Sequence, residues 1–362
     1  MKRHVAEYFF DLDRDDQREA LEYAREQTGR PAHLLEKDVW VVWILRALFE
    51  SSLSADLTFK GGTSLSKVYK VIDRFSEDID LTYDIRKLIP DLIGQSGGLP
   101  VSRSQANKWT QAVRHRLPDW IKATVQPVIE AGLARERLGA KIESSGKDSD
   151  KLLVRYAALT QGTGYVAPVV TLEFGGHATG EPHQRQSVVC DMDGHIPEVS
   201  FPTASPRVMS LARTFWEKAM AAHVYCAQGH LRGERYARHW HDLAAIAHSP
   251  LFAEIASDHA IAAMVAQHKT LFFVEKDTDS MVIDYAATTR GHLRIVPEGR
   301  ASQALAEDYA AMLADSVMIK NAMPFDQLMQ VCAEVENRVN QAAIRDDDSR
   351  QVETGDGSDG AA

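Results

Sequence analysis

The fold of this chain is decided by two neighbouring stretches, Phe-Lys-Gly-Gly-Thr-Ser-Leu-Ser-Lys at residues 59–67 and Arg-Phe-Ser-Glu-Asp-Ile-Asp-Leu at residues 74–81. The first predicts a strand that ends in two glycines and leads into a helix. Glycine lets the backbone approach a ligand closely because it has no Cβ. A helix that begins at Thr63 presents free N–H groups and the positive end of its dipole to an anion. The pattern therefore predicts a phosphate-binding turn at Gly61 and Gly62.

Three acidic residues complete the pattern. Residues i and i+2 of a strand lie on the same face, so we expect Asp78 and Asp80 to point together while Ile79 enters the core. Glu173 follows the apolar run at 169–172, and an acidic residue is uncommon in such a strand unless it has a ligand or a partner. Three converging carboxylates suit Mg²⁺, with Mn²⁺ as the alternative, because hard cations take oxygen ligands and share them with substrate phosphates. Taken alone, the pattern also fits a tight turn with solvated acids.

Length and composition are those of a protein with two domains. The chain has 362 residues, of which 44% are hydrophobic and 25% charged. No apolar run approaches the roughly 20 residues that a membrane span needs, and the first residues carry no export signal. The three cysteines are widely spaced, as in reduced proteins. We therefore expect a cytoplasmic protein without a membrane partner.

The net charge of −10 is unevenly distributed. Residues 345–362 hold six acids against two arginines, which predicts a disordered acidic tail. Residues 103–155 hold eleven Lys and Arg against six Asp and Glu, and residues 207–238 hold six against two. Such regions are compatible with binding to a phosphate backbone. Charged runs on helices are also commonly solvated faces.

The order of the predicted elements indicates an α+β fold. The helical pattern at 33–50 is apolar almost all round after Asp38, which predicts a buried helix. The other predicted elements are a helix at 15–28, strands at 53–59, 79–83, 152–158 and 166–174, and helices at 63–72 and 105–140. The predicted division is an N-terminal domain over residues 1–200 with a helical insertion around 105–150, a mostly helical C-terminal domain over 206–344, and the tail.

The stretch at 59–81 resembles the nucleotidyltransferase signature of the polymerase-β-like superfamily: a glycine pair, a helix and then Asp-x-Asp. More closely, the chain resembles the AbiEii/AbiGii (abortive-infection) toxin family of bacterial toxin–antitoxin systems. The pieces that resemble family elements are Leu-Glu-Lys-Asp-Val-Trp at 35–40, Trp-Glu-Lys-Ala at 216–219, Arg-His-Trp-His-Asp-Leu at 238–243, His-Lys-Thr-Leu-Phe-Phe at 268–273 and Asp-Tyr-Ala-Ala-Met at 308–312.

The resemblance implies a fold and a set of site residues. The fold would be a nucleotidyltransferase core, a small mixed sheet with flanking helices, followed by the helical domain. The implied nucleotide-binding residues are Gly61, Gly62, Thr63, Ser64, Lys67, Lys218 and Arg238. The implied metal-binding and catalytic residues are Asp78, Asp80 and Glu173, with Glu173 as an alternative general base, together with Lys218 and Asp242.

Some positions leave alternatives open. Position 239 is aspartate in some relatives, so the resemblance does not extend to a metal or ribose role for His239. Ser76 stands where some relatives have a modifiable serine, and we favour a plain strand-leading hydroxyl. The histidines of the C-terminal half fit no standard zinc spacing; they are His223, His230, His239 and His241.

The implied activity is transfer of a nucleoside monophosphate from an NTP to an acceptor hydroxyl, with release of pyrophosphate. The acceptor would be the 3′ end of tRNA, whose modification blocks translation and growth. The implied partner is an antitoxin with a winged-helix DNA-binding part. Two alternatives stay open: an enzyme that nucleotidylates a protein Ser, Thr or Tyr, and a catalytically silent NTP-binding partner module. The sequence indicates neither the preferred NTP nor the oligomeric state.

Overall fold

The structure, a computed structural model, divides the chain into two compact units. They are Met1–Gly98 with Asn107–Ser210, and Leu99–Ala106 with Leu211–Ala362. The predicted domain bounds stay predictions. None of the helices in the described part of the chain is long and apolar enough to cross a membrane. The described residues are 6–93, 98–145, 150–160, 166–231, 233, 235–314 and 322–355, the last ten of these as backbone alone.

The first unit is built on a mixed sheet. Its described strands are β1 (Glu7–Tyr8), β2 (Leu57–Lys60), β3 (Ile79–Tyr83), β4 (Ala140–Ser144), β5 (Lys151–Tyr156), β6 (Val169–Gly175), β7 (His183–Arg185), β8 (Val188–Val189), β9 (Val199–Ser200), β10 (Thr203–Ala204) and β11 (Arg207–Met209). Seven of them form one sheet in the order β4-β5-β6-β3-β2-β11-β7. Strand β3 is parallel to β6 and antiparallel to β2. The predicted α+β class is confirmed.

Helices make up most of the rest. In chain order they are α1 (Arg14–Thr28), α2 (Ala32–Phe49), α3 (Gly61–Lys67), α4 (Ile85–Leu88), α5 (Arg103–Trp120), α6 (Gln126–Arg135), α7 (Leu211–Gln228), α8 (Arg238–Ala247), α9 (Phe252–Ser257), α10 (His259–Phe272), α11 (Gly299–Ala314) and α12 (Phe325–Gly355). A π-helical turn at Ile121–Val125 joins α5 to α6. The helices from α7 onward belong to the second unit, so the predicted succession of a sheet-containing part and a helical part is confirmed.

Helix α2 is the centre of the first unit's core. It contacts α1, α6, β6 and β10, and nearly all of its residues are buried, as its apolar sequence predicts. Trp40 stacks on Tyr156 with ring centroids 5.2 Å apart. The first turns of the same helix carry three buried charged residues, Glu36, Lys37 and Asp38.

Several elements differ from the sequence predictions. The predicted strand at 53–59 is shorter because the Ser51 hydroxyl accepts the Leu53 N–H and supports a 3₁₀ turn at Ser52–Ala55. The predicted helix at 63–72 ends at Lys67, and Lys70 nearby has a left-handed φ of 52° that a helix does not accept. Strand β4 lies inside the predicted helical insertion, where it pairs with β5.

The C-terminal helix α12 runs to Gly355, so it includes residues 345–355 of the predicted disordered tail. No glycine or proline interrupts this helix before its last residue, and these are the residues that most oppose helix formation. The rest of the predicted tail, 356–362, lies outside the described residues.

Candidate functional site

A row of four charged residues crosses the sheet of the first unit. Lys60 on β2 pairs in register with Asp80 on β3, Asp80 with Glu173 on β6, and Glu173 with Lys151 on β5. Residues directly opposite on neighbouring strands share a face of the sheet. The structure therefore places two predicted metal carboxylates side by side between two lysines. The Lys151 ammonium lies 2.8 Å from a Glu173 carboxylate oxygen.

The first glycine of the predicted phosphate turn touches this row. Gly61 has a φ of +79°, which favours glycine. A Cβ at Gly61 would lie only 1.9 Å from Oδ2 of Asp80. Both the backbone conformation and the close approach therefore require glycine, and the backbone at the start of α3 lies directly against the Asp80 carboxylate.

The second glycine lies against an arginine that the sequence analysis missed. A Cβ at Gly62 would lie 2.6 Å from the Ser76 hydroxyl and 2.7 Å from a guanidinium nitrogen of Arg74. Arg74 is only 3% exposed. A guanidinium beside a turn of free N–H groups adds positive charge where the sequence predicts a phosphate. The sequence signal was the single arginine between the glycine pair and Asp78.

The hydroxyls of Thr63 and Ser64 are buried and bonded within the unit. Thr63 donates to the carbonyl oxygens of Ser76 at 3.2 Å and of Asp78 at 2.5 Å, and Ser64 donates to that of Gly61 at 2.8 Å. These bonds fix the segment that leads into β3 relative to the glycine turn. Contact of either hydroxyl with a triphosphate stays a prediction.

Lys67 lies in a buried cluster of opposite charges. Its ammonium is 2.6 Å from Oδ1 of Asp38 and 2.7 Å from Oδ1 of Asp191, and its side chain is 7% exposed. Arg30 also contacts Asp191, at 3.0 Å. Burial, and then the charge of Asp191, raise the pKa of Asp38 to about 6 against the opposing effect of Lys67. The charge of this predicted nucleotide-binding lysine is thus compensated inside the unit.

A second lysine cluster lies in the helical unit. The Lys218 ammonium on α7 is 2.9 Å from Oδ2 of Asp242 on α8, which is fully buried. The other oxygen of Asp242 lies 3.1 Å from Nδ1 of His241. Arg238 precedes Asp242 by four residues, a spacing that puts both on one helix face. The ring of His239 packs against Tyr236 with centroids 4.8 Å apart.

The carboxylates of the first unit fit a hard divalent cation by their chemistry. Asp78, Asp80 and Glu173 offer oxygen donors of the kind that Mg²⁺ and Mn²⁺ take. The glycine at position 61 leaves room beside Asp80 that a Cβ would fill. The described residues contain no group of three His, Cys, Asp or Glu side chains already gathered for a metal. In this structure the partner of Glu173 is Lys151.

The class of protein to which this chain belongs follows from a match to a family model. The family model described as "Nucleotidyl transferase AbiEii toxin, Type IV TA system" matches residues 43–331, well over half of the chain. The chain therefore belongs to the AbiEii family of nucleotidyltransferase toxins of type IV toxin–antitoxin systems, as the resemblance predicted. Such a system pairs the toxin with an antitoxin.

One solved structure similar to this chain is MenT4, a nucleotidyltransferase toxin from Mycobacterium tuberculosis H37Rv. The two are 16% identical, the match covers 91% of this chain and 99% of the other, and the TM-score is 0.40. No sequence among the curated proteins matches the chain.

Proposed function

We propose that this toxin transfers a nucleoside monophosphate from an NTP to the 3′ end of tRNA. The observation that carries the proposal is the in-register pair of Asp80 and Glu173 beside the backbone of Gly61. Carboxylates next to a glycine turn at a helix start can bind a metal-bound triphosphate, because the metal and the free N–H groups share the charge of the phosphates. Modification of the 3′ end would block aminoacylation and growth.

Each group of the first unit has a role in this scheme. Asp78, Asp80 and Glu173 would hold Mg²⁺, or Mn²⁺, which when bound activates the attacking hydroxyl and stabilises the departing pyrophosphate. The N–H groups at Gly61 and Gly62 would hold the triphosphate. The acceptor oxygen forms a bond to the α-phosphorus, the bond to the bridging oxygen breaks, and pyrophosphate leaves. The hydroxyl proton passes to a carboxylate, and Glu173 is our candidate for this base as the alternative to its role as a metal ligand.

For the second unit we propose that Lys218 and Arg238 supply positive charge to the triphosphate. An ammonium has three donors and acts as a point charge toward phosphate. The carboxylate of Asp242 contacts the Lys218 ammonium and so orients it. Lys218 is therefore our candidate for the principal cation of the triphosphate site.

Exposed cations support tRNA as the acceptor. Among the described Lys and Arg at 103–155, those with carboxylate partners are Arg116, Arg135, Lys151 and Arg155. Lys108, Arg114 and Lys122 are exposed and form no ion pair with the described residues. Such side chains contact RNA phosphates and make binding dependent on salt. We further propose that the toxin acts in the cytoplasm, where tRNA is present, and the winged-helix nature of its antitoxin stays a prediction.

The test is a transfer assay. The full chain is incubated with Mg²⁺, bulk tRNA and each α-³²P-NTP in turn, beside Asp80→Asn and the surface control Asp91→Asn. We expect label on tRNA from one or more NTPs, lost in the Asp80 variant and kept in the control. Label on a protein band would replace tRNA by a protein acceptor. No label from any NTP, or undiminished label with Asp80→Asn, would refute the proposal. Expression of Asp78→Ala should no longer stop growth.

A further inference from the structure

Three consecutive charged residues lie buried at the start of the otherwise apolar helix α2. Glu36, Lys37 and Asp38 are each 2% exposed. Taking an ion out of water costs several kcal/mol even in a real protein, and apolar side chains of similar volume are often as stabilising as a buried ion pair or more so. Stability alone therefore gives no reason for three adjacent buried charges. The groups that these three side chains contact suggest a different reason for the buried charges.

Lys37 joins the segments that lead into both carboxylate strands. Its ammonium lies 2.8 Å from Oε2 of Glu77 and 3.3 Å from the carbonyl oxygen of Ala167. Glu77 directly precedes Asp78, and Ala167 stands two residues before β6, the strand that carries Glu173. One buried ammonium thus fixes the approaches to two of the three proposed metal ligands.

Asp38 instead holds the helix that begins at the glycine turn. Its Oδ1 contacts the ammonium of Lys67 at 2.6 Å, and its Oδ2 accepts the backbone N–H of Asp191 at 2.6 Å. Lys67 is the last residue of α3, and Gly61 is the first. Because α3 is only two turns long, holding its end also sets where its first N–H groups point.

Glu36 holds a further segment. Its carboxylate accepts the backbone N–H of Leu159 at 2.8 Å, and the N–H and hydroxyl of Thr160 at 3.2 and 2.9 Å. This segment follows β5, the strand that begins with Lys151. Three neighbouring side chains of one helix therefore reach four segments that adjoin strands or helices of the candidate site: those at Glu77, Ala167, Lys67 and Leu159.

We propose that Lys37 and Asp38 are positioning residues for nucleotidyl transfer, a role that rests on the proposed function. Lys37 sets the metal carboxylates through Glu77 and Ala167, and Asp38 sets the glycine turn through Lys67. Neither side chain contacts substrate in this scheme. The two residues then have separable effects: a change at Lys37 weakens the metal site, and a change at Asp38 weakens the hold on the triphosphate.

The experiment measures two quantities on the full chain. Mn²⁺ affinity of the nucleotide-free protein is followed by the electron paramagnetic resonance of free Mn²⁺, and the KM for the NTP is taken from the transfer assay. Lys37→Met should lower Mn²⁺ affinity about tenfold, the smaller end of what residues behind a metal ligand typically contribute. Asp38→Asn should raise the KM for the NTP by a similar factor and leave Mn²⁺ affinity within about twofold.

A matched control lies on the same helix. Arg46 of α2 contacts Glu136, just after α6, at 2.6 Å, and both side chains are 19% exposed. Arg46→Met should lower Tm and leave both Mn²⁺ affinity and the KM for the NTP unchanged. Should Lys37→Met fail to fold, Glu77→Gln removes the same ion pair while keeping the shape of the side chain.

The possible results distinguish failure of the positioning role from failure of the proposed function. If Lys37→Met, or Glu77→Gln in its place, binds Mn²⁺ as Arg46→Met does, Lys37 has only a structural role. If the changes at Lys37 and Asp38 alter both quantities alike, the separation of roles is wrong. If the unchanged protein binds no Mn²⁺, or Asp80→Asn binds it equally well, the proposed metal set fails and the positioning role fails with it.

Discussion

Two lysines that are both predicted to meet a triphosphate have different surroundings in the two units. Lys67 lies between two carboxylates, Asp38 at 2.6 Å and Asp191 at 2.7 Å, and is 7% exposed. Among the described residues Lys218 has one carboxylate partner, Asp242 at 2.9 Å, and its side chain is 12% exposed. The exposed fractions of the two lysine side chains are similar, but the number of carboxylates around each ammonium differs.

The difference indicates what each lysine can do. The two carboxylates around Lys67 outweigh the burial that disfavours its ammonium, and they raise its pKa. The two carboxylates are matched by Lys67 and Arg30, so this cluster is neutral, and the Lys67 ammonium already has two carboxylate partners. The pair of Lys218 with Asp242 is neutral overall, and the ammonium has three donors for its partners. We therefore propose a role in stability and positioning for Lys67, and contact with the triphosphate for Lys218.

The largest effect is expected from Lys67→Met. Removing the ammonium leaves the carboxylate of buried Asp38 beside Asp191 without the lysine that pairs with both, and breaking a buried pair in this way costs about 3–5 kcal/mol of unfolding free energy. Denaturant unfolding monitors the loss, with the exposed Lys70→Met as control, expected within about 0.5 kcal/mol of the unchanged protein. A loss at Lys67 no greater than in the control would remove the distinction between the two lysines.

Lys218→Met should reduce kcat/KM for the NTP about 10²–10³-fold, as the loss of one preorganised donor to a developing charge typically does. It should also lower stability, because fully buried Asp242 loses its cation. The double variant Lys218→Met/Asp242→Asn separates the two effects. It should regain stability without regaining activity, and recovery of kcat/KM would mean that Lys218 does not contact the triphosphate.

Some features of the fold and of the candidate site can be predicted from the sequence, and others cannot. Spacing alone predicts β3 at 79–83 and the glycine turn, because these are local patterns. That Asp78 and Asp80 point to the same face stays a prediction. The pairing of Glu173 with Asp80 and with Lys151 depends on the register between strands that are distant in the chain. A shift by one residue would turn Glu173 to the other face, and nothing local in the sequence fixes that register.

The same limit applies to the lysines. Sequence gives Lys67 a place on a short helix, and it is the tertiary fold that brings Asp38 and Asp191 to it. The strands of two or three residues between His183 and Met209 are too short to show a period of two. Arg74, next to Gly62, was missed because burial of an arginine cannot be read from its neighbours in sequence.

A smaller effect, visible in pH dependence, is expected from Asp38→Asn. The pKa of Asp38 is raised from its ordinary value of 3.8 to about 6 in the folded protein. A carboxyl group whose pKa is higher in the folded than in the unfolded protein adds to stability. This contribution is complete below the unfolded-state pKa and is lost as the pH rises through the folded-state pKa. The free energy of unfolding of the unchanged protein, relative to the variant, should therefore fall between pH 4 and 7. Curves that stay parallel over this range would contradict the raised pKa.

The smallest effect is expected at His241, whose Nδ1 contacts Oδ1 of Asp242, whereas the Lys218 ammonium contacts Oδ2. His241→Leu removes one hydrogen bond and leaves the lysine in place, so it should cost about 1 kcal/mol of stability. It should also lower kcat by tenfold or less, because Lys218 keeps Asp242 as its partner and only the orientation of the Asp242 carboxylate is less fixed. His241→Asn, whose side-chain amide can donate in place of Nδ1, should restore both quantities. If His241→Leu instead reduces kcat as strongly as Lys218→Met, the histidine itself acts on the substrate in addition to the cations proposed for the second unit.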